Sequence, residues 1–336
     1  MFKRIIIAVL IIIVVGLALL LLIFYRPDLS REQLASTYVN DKSKFVKLPN
    51  GADVHYRDEG NPNGPVLLML HGGFGSLHNW EGWVPHLRHD YRLVSLDLPA
   101  HGLTGQLPEN VYTRATMIET ADLLMQELGI ESFSVAGNSM GGGLALHYAL
   151  HHPEKIESLI LIGSEGIPNG EGGYDTSLFS NQEPIRPGQP GYSDLSTTER
   201  LASKFIGPAV IRHTLDALIG DKSLLTNDFV DYFGRIIRYE GNREANLLMF
   251  RQWFDPETAD PRDLETRLHE ITVPVLYMHG AVDTVVPENV AQRFDELLPN
   301  SQLIVYEGVG HMAMIEKPAE TAQDAILFFQ ANGIFE

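Results

Sequence analysis

The chain has 336 residues, of which 43 are acidic and 25 basic, and its formal net charge is −18 at pH 7. Such an acidic excess argues against nucleic-acid binding, which requires a basic surface. The sequence contains no cysteine, which excludes disulfides, a thiolate nucleophile and cysteine-ligated metal centres. The length is sufficient for one large or two small domains with a buried core.

The N-terminal region contains a long segment without charged side chains, residues 5–25. As a helix it would be about 31 Å long, close to the hydrocarbon thickness of a bilayer. It is longer than the apolar part of a signal peptide, and no small-residue cleavage site follows it. The sequence therefore predicts a single-pass anchor in the lipid bilayer at residues 1–25. A short cytosolic tail would place the following domain on the extracytoplasmic side of the membrane.

Residues 26–44 are polar and predict a tether, which is followed by two strands joined at an Asn-Gly turn. Short apolar segments that indicate buried strands then alternate with stretches that favour helix. The predicted strands lie at Val66–Leu70, Arg92–Leu96, 133–136, 159–162, 275–278 and 303–306, and the predicted helices at 116–128, Met140–His151 and 319–330. This alternation predicts an α/β fold with a mostly parallel central sheet flanked by helices.

One interval, residues 166–268, breaks this alternation. It begins rich in glycine and proline and becomes helical in character around 197–218 and 228–254, without a clear strand. We predict that it forms a helical cap, or lid, over one end of the sheet. The predicted core then consists of residues 45–165 and 269–336.

The motif Gly-Asn-Ser-Met-Gly at 137–141 lies between a predicted strand and a predicted helix. This is the setting of a nucleophile elbow, a sharp turn that needs small residues on both sides of a serine. The turn presents the hydroxyl at the N-terminus of the helix, where the helix dipole favours developing negative charge. Ser139 is therefore the candidate nucleophile.

A serine hydroxyl needs a base to accept its proton, and the base needs an acid to orient it. The candidate base is His311, in a glycine-flanked loop after the last predicted strand. The candidate acid is Asp283, just after the strand predicted at 275–278, because the chain order Ser, Asp, His is that of hydrolases with a nucleophile elbow. Glu165, after the strand predicted at 159–162, is the alternative acid.

The oxyanion formed during such a reaction needs preorganised backbone donors. One candidate is the amide of Met140, directly after the nucleophile. The other lies in His-Gly-Gly-Phe-Gly at 71–75, which follows the strand predicted at Val66–Leu70. Gly73 is the first choice in this loop and Phe74 the second, because glycines allow the backbone to approach the reacting carbonyl closely.

Together these motifs resemble the α/β-hydrolase-fold serine hydrolases. The matching segments are 71–75, Asp-Leu-Pro-Ala-His-Gly at 97–102, 137–142, 279–283 and 310–318. The resemblance implies that Asp97 and His101 organise a loop and are not catalytic. Dehalogenase-like and epoxide-hydrolase-like members have an aspartate where this chain has Ser139. The sequence contains neither a nucleotide-binding fingerprint nor a His-Glu-x-x-His motif, so no cofactor and no metal are predicted.

The chain is similar to membrane-anchored monoacylglycerol lipases and to bacterial lipases of this fold. This similarity implies a hydrolase that cleaves a small-molecule or lipid ester through an acyl-enzyme on Ser139. Apolar residues of the predicted cap, such as Phe229, Phe233 and Phe250, fit either an acyl-chain channel or the core of the cap itself. Two alternatives use the same triad: a hydrolase of carbon–carbon bonds in ring-cleavage products, and an enol-lactonase-like or perhydrolase-like enzyme. A third alternative is a non-enzymatic binding protein on the same scaffold.

Overall fold

The computed structural model describes residues 24–166, 192–253 and 261–334, together with residues 2, 5–7, 16 and 188. Most of the predicted anchor and the first part of the predicted cap lie outside these residues. Among the helices within the described part of the chain, none combines the length and the apolar composition needed to cross a bilayer.

The core is one twisted sheet of eight strands. These are β1 (Ser43–Lys47), β2 (Asp53–Gly60), β3 (Val66–Leu70), β4 (Arg92–Leu96), β5 (Phe133–Asn138), β6 (Ile156–Ile162), β7 (Val275–Gly280) and β8 (Ser301–Tyr306). Their order is β1-β2-β4-β3-β5-β6-β7-β8. β1 pairs with β2 and β2 with β4 in antiparallel register, whereas all the other neighbours are parallel. The predicted, mostly parallel sheet is confirmed.

Helices cover both faces of this sheet, so every residue of β5 and β7 is buried. Strands buried in this way, such as β3 and β7, are apolar along most of their length. The described helices are α1 (Arg31–Tyr38), α2 (Val84–Leu87), α3 (Arg114–Glu127), α4 (Met140–His151), α5 (Thr197–Ser203), α6 (Pro208–Leu218), α7 (Asn227–Ile236), α8 (Asn242–Trp253), α9 (Pro261–Arg267), α10 (Glu288–Leu297), α11 (Ala313–Glu316) and α12 (Pro318–Ala331). The carboxyl ends of β3, β5, β6, β7 and β8 meet at one edge, where α/β folds place their binding sites.

Helices α5 to α9 form an insertion between β6 and β7. The two long helical regions predicted from the sequence are each divided in two. Gly207 and Pro208 separate α5 from α6, because proline has no amide to continue a helix but fits the first helical turn. Gly241, at φ +83°, separates α7 from α8, a conformation that side chains other than glycine rarely adopt.

The insertion packs on loops at the carboxyl edge of the sheet. Asn242 of α8 donates to the carbonyl of Gly102 at 2.8 Å, and Asn246 donates to the carbonyl of Ala100. Phe250, further along α8, stacks on Phe74 with 4.9 Å between the ring centroids. These contacts place α8 beside the loop that contains the candidate oxyanion donors.

Residues 26–44 differ from the predicted tether. Ser30 and Gln33 form a capping box that starts α1, and the side chains of Leu34 and Tyr38, one turn apart, are fully buried. We call residues 26–39 the N-terminal strap. It runs along the insertion, where the amide of Leu29 donates to the carbonyl of Arg238 at 2.7 Å. Because this short helix buries only Leu34 and Tyr38, its sequence is predominantly polar. The sequence therefore predicts a tether where the structure has a helix.

Candidate active site

Ser139 lies in a strained turn between β5 and α4, at φ +53° and ψ −118°. The flanking glycines are sterically required. A Cβ on Gly137 would lie 2.3 Å from the carbonyl oxygen of Gly141, and a Cβ on Gly141 would lie 2.2 Å from that of Leu70. A non-glycine residue in this conformation is uncommon and costs free energy, as expected for a site whose geometry is fixed by its surroundings.

Asp283 and His311 are brought together at the same edge of the sheet. Asp283 Oδ2 and His311 Nδ1 are 2.7 Å apart, and both side chains are almost completely inaccessible to solvent. The carboxylate therefore accepts a hydrogen bond from Nδ1–H of the imidazole, which leaves Nε2 as the nitrogen able to accept a proton.

The Asp283 carboxyl is held in its charged form. Burial on its own would raise its pKa, but the charge and hydrogen bond of His311 lower the pKa below its usual value. The amides of Val285 and Val286 add to this effect by donating to Asp283 Oδ1 at 2.8 and 3.0 Å. The acid is thus oriented from two sides, by the imidazole and by its own loop.

Asn138 joins the nucleophile turn to the His311 loop. It lies within the motif at 137–141, but the motif assigns it no role. Asn138 Nδ2 donates to the carbonyl oxygens of His311 and Ile162, each at 3.0 Å. Gly163, at φ +51°, completes the junction, since a Cβ there would lie 3.0 Å from His311 Nδ1 and 3.1 Å from Asp283 Oδ2. The glycine leaves room for the Asp–His pair beside the end of β6.

Glu165, the alternative acid, is bonded elsewhere. Its Oε1 accepts from the indole of Trp253 at 2.9 Å and lies 3.5 Å from the guanidinium of Arg114. The geometry therefore pairs His311 with Asp283 and connects Glu165 to α8.

The loop at 71–75 packs directly against the nucleophile turn, since a Cβ on Gly72 would lie 3.0 Å from Ser139 Cβ. Phe74 has a positive φ of 59°, which bends the chain over the turn. No described backbone hydrogen bond uses the amides of Gly73, Phe74 or Met140. Met140 is the first residue of α4, where an amide has no partner within the helix. These amides are therefore available to an oxyanion.

Asp97 and His101 lie outside the Asp283–His311 pair. The buried carboxylate of Asp97 accepts from the amides of Leu77 and Leu103 at 2.8 and 2.7 Å and from His55 Nδ1 at 2.7 Å. Burial opposes this charge, but His55 lowers the pKa of Asp97 well below its usual value. Asp97 thus joins the loop after β3 to the loop after β4.

His101 donates from Nδ1 to the carbonyl of Pro99 at 2.9 Å. Its burial lowers its pKa to about 3, because a charged imidazole there would lose its hydration. Across the described ranges, no group of three or more histidine, aspartate or glutamate side chains is arranged to hold a metal ion.

A last group of contacts at the site involves Glu316, another residue that the motifs left without a role. Its carboxylate accepts from the amide of Gly310, beside His311, and from the amides of Gly220 and Asp221, all at 2.8 Å. Glu316 lies five residues after His311 in the matching segment 310–318, but the sequence does not show which amides its carboxylate binds, so these contacts require the fold to be seen.

Comparison with known proteins identifies the family to which this chain belongs. The chain is 27% identical over 270 residues to the uncharacterized hydrolase YugF of Bacillus subtilis, a match that covers 80% of this chain and 91% of that protein. It is 27% identical over 300 residues to 2-hydroxy-6-oxo-6-(2'-aminophenyl)hexa-2,4-dienoic acid hydrolase of Metapseudomonas resinovorans, covering 88% and 93%. Other matching relatives are also named as hydrolases of 2-hydroxy-6-oxo dienoates.

Among solved structures, a bacterial membrane phospholipase A superposes with a TM-score of 0.70 at 23% identity. The match covers 98% of this chain and 98% of that one, and it shows that the two share a fold. The sequence profile of the alpha/beta hydrolase fold matches residues 65–318, which include the nucleophile turn, the Asp–His pair and the loop at 71–75. The chain therefore belongs to the alpha/beta hydrolase family.

Proposed function

We propose that this hydrolase cleaves its substrate through a covalent acyl intermediate on Ser139. The observation that carries the proposal is the 2.7 Å bond between Asp283 and His311, in a loop bonded to the residue before Ser139. In this mechanism Nε2 of His311 accepts the serine proton during attack on the carbonyl carbon and returns it to the leaving group. Asp283 stabilises the imidazolium, and water later releases the acid.

The oxyanion of this mechanism is assigned to two backbone amides. Met140 supplies the donor at the N-terminus of α4, where the helix dipole adds to the hydrogen bond. Gly73 is the first choice for the second donor and Phe74 the second. The absence of competing bonds to these amides within the described backbone supports the assignment.

For the bond that is cleaved, the first candidate is a carboxylic ester with an apolar acyl group. A groove of about 430 Å³ is lined by α7, by residues 78–82 after the loop at 71–75, and by Met314 and Ile315 after His311. Its lining is largely apolar, and of its described residues none is lysine or arginine: Phe229, Tyr232, Phe233, Met314 and Ile315 line it together with His78, Asn79, Glu81, Gly82 and Thr226. Ser139, Asp283 and His311 are not among the lining residues, so the groove is a surface outside the Asp283–His311 pair that favours an uncharged, apolar group.

The second candidate is hydrolysis of a carbon–carbon bond, and the named relatives support it better than the ester. A 2-hydroxy-6-oxo dienoate contains no ester, so its hydrolysis breaks a carbon–carbon bond beside the ketone. Its carboxylate is negatively charged at neutral pH and would be expected to meet a cation when bound. The groove described above offers none among its described residues, but its lining does not include Ser139, Asp283 or His311. We place the ester first because the uncharged segment at 5–25 would hold the site close to lipid esters.

We further propose that residues 1–25 anchor the protein in a bilayer, with the hydrolase domain on the extracytoplasmic side. The uncharged segment at 5–25 supports this, as does the match to a membrane phospholipase A over nearly the full length of both chains. An anchored site would lie close to lipid esters, so the proposed substrate class is a lipid-like acyl ester.

The deciding experiment compares both bond types on the full-length protein in detergent. We would measure hydrolysis of p-nitrophenyl esters from acetate to palmitate, and of 2-hydroxy-6-oxo-6-phenylhexa-2,4-dienoate, with Ser139→Ala as control. Ester turnover that increases with chain length and disappears in the variant would support the lipid-ester proposal. Preferential turnover of the dienoate would establish the carbon–carbon alternative, and Ser139-independent rates on both substrates would contradict the mechanism.

A further inference from the structure

The two loops that hold the Asp–His pair are both bonded to the C-terminal turn of α6, which belongs to the insertion. The amide of His311 donates to the carbonyl of Leu218 at 2.7 Å. Thr284, next to Asp283, donates from Oγ1 to the carbonyl of Ala217 at 2.8 Å. Asp283 is thus linked to α6 through the side chain of the next residue, and His311 is linked to it through its own backbone amide.

The carboxylate of Glu316 completes this junction. One oxygen, Oε1, accepts from the amide of Gly310, directly before His311, at 2.8 Å. The other, Oε2, accepts from the amides of Gly220 and Asp221 just beyond α6, both also at 2.8 Å. A charged acceptor strengthens each of these bonds, and one side chain thereby joins the His311 loop to the insertion.

The backbone at this junction is packed without spare room. A Cβ on Gly220 would lie 2.6 Å from the amide nitrogen of Gly310, and a Cβ on Gly310 would lie 2.6 Å from that of Gly220. The two loops can approach this closely only because neither has a side chain there. Without the carboxylate, two polar backbone segments would face each other with three amides unbonded.

We infer that Glu316 is a positioning residue, which fixes His311 for catalysis by fastening its loop to the C-terminal turn of α6. The inference rests on the proposed role of His311 as the general base. Glu316 does not touch the reacting atoms in this scheme. It sets the position of the imidazole relative to Ser139, and small displacements of a catalytic group reduce rates strongly.

The test compares Glu316→Ala with Glu316→Gln and a control, Glu320→Gln, on the full-length protein. Glu320 is an exposed carboxylate on α12 that pairs with Lys317. For Glu316→Ala we expect kcat to fall about 10- to 100-fold while KM changes less than about twofold. The glutamine variant keeps one acceptor oxygen and should recover part of kcat, and Glu320→Gln should behave as the unaltered protein.

Two readouts separate positioning from loss of folded protein. Titration with a fluorophosphonate gives the fraction of competent sites, so kcat can be expressed per site. The downfield proton resonance of the His311–Asp283 bond, observed by NMR, reports the pair without any turnover. We expect this resonance to shift or broaden in Glu316→Ala and to stay in place in Glu320→Gln.

An unchanged resonance together with an unchanged kcat per competent site would overturn the inference. If the unaltered protein shows no fluorophosphonate labelling at all, the proposed hydrolytic function fails. In that case the NMR comparison still decides whether Glu316 holds the Asp–His pair in place.

Discussion

Asn138 donates its side-chain amide to the main-chain carbonyl of His311 at 3.0 Å. This single bond connects the residue before the candidate nucleophile to the candidate base, which lies in a different βα loop. The same amide group also bonds the carbonyl of Ile162 at the end of β6. One buried side chain thereby links the ends of β5 and β6 to the loop that follows β8.

Replacing Asn138 with alanine should therefore reduce both catalysis and stability. The buried carbonyl of His311 would lose this donor, at a cost of about 1–3 kcal/mol, whereas the carbonyl of Ile162 would keep the amide of Ser139. We expect kcat to fall about tenfold or more as His311 becomes less well fixed. Urea unfolding and ester kinetics measure the two effects. The control is Ser134→Ala, on the same strand as Asn138, which removes a buried bond to Ser158 of β6. Equal loss of activity in both variants would contradict a specific role for Asn138.

Ser139→Ala should abolish hydrolysis while leaving the fold intact. We expect a loss of about 10³-fold or more in kcat, because the nucleophile acts as a unit with its base. Fluorophosphonate labelling of the unaltered protein, and its absence in the variant, provides an independent check. A chain that binds ligand but is never labelled would instead be a binding protein on a hydrolase scaffold.

Asp283→Asn and Glu165→Gln together test which carboxylate serves His311. The asparagine side chain is uncharged and can donate its NH2 group to Nδ1, so the imidazole tautomer is no longer fixed. We expect kcat to fall about 10³- to 10⁴-fold. Glu165→Gln should retain most of the activity and mainly weaken the contacts to Trp253 and Arg114. The reverse order of effects in steady-state kinetics would assign the acid to Glu165.

His101 should make the folded state increasingly unstable as the pH falls below about 6.5. The native pKa is about 3, whereas an unfolded histidine titrates near 6.5. Between these values only the unfolded chain takes up the proton, so the free energy of unfolding decreases by about 1.4 kcal/mol per pH unit from this one residue.

His101→Gln should flatten this dependence when urea unfolding is measured at pH 7, 6 and 5. His86→Gln, which alters an exposed histidine, should leave the slope unchanged. If the His101 and His86 variants show the same slope as the unaltered protein, burial of the His101 imidazole does not contribute to the acid sensitivity.

The core of the fold could be predicted because its determinants are local. Among the buried strands, β3 is a continuous apolar segment and β4 is apolar at three of its five positions, and the predicted bounds of both match the structure. The positions of Ser139, Asp283 and His311 after their strands follow from chain order, because parallel strands bring their carboxyl ends to one edge. The structure brings Asp283 and His311 into contact, while their catalytic roles stay predictions.

Other features could not be predicted, because they depend on contacts between distant segments. Asn138 and Glu316 act through backbone carbonyls and amides, which have no sequence pattern of their own. The polar composition of residues 26–44 predicts a tether where the N-terminal strap lies, although the capping residues Ser30 and Gln33 stand in the sequence. Its helix is specified mainly by two buried side chains, Leu34 and Tyr38, whose burial depends on the insertion and on the loop after β4.

The strap also determines where the chain can be shortened. Asp28 pairs with Lys204 and with the buried guanidinium of Arg243 on the insertion. Tyr38 bonds the carbonyl of Tyr232, and its own carbonyl accepts from Arg57 at 3.2 Å. A protein that began at β1 would leave a buried arginine without its carboxylate and an apolar surface open to water. Versions made for crystallisation or for water-soluble assays should therefore begin no later than Arg26, even if all the residues that precede it are removed.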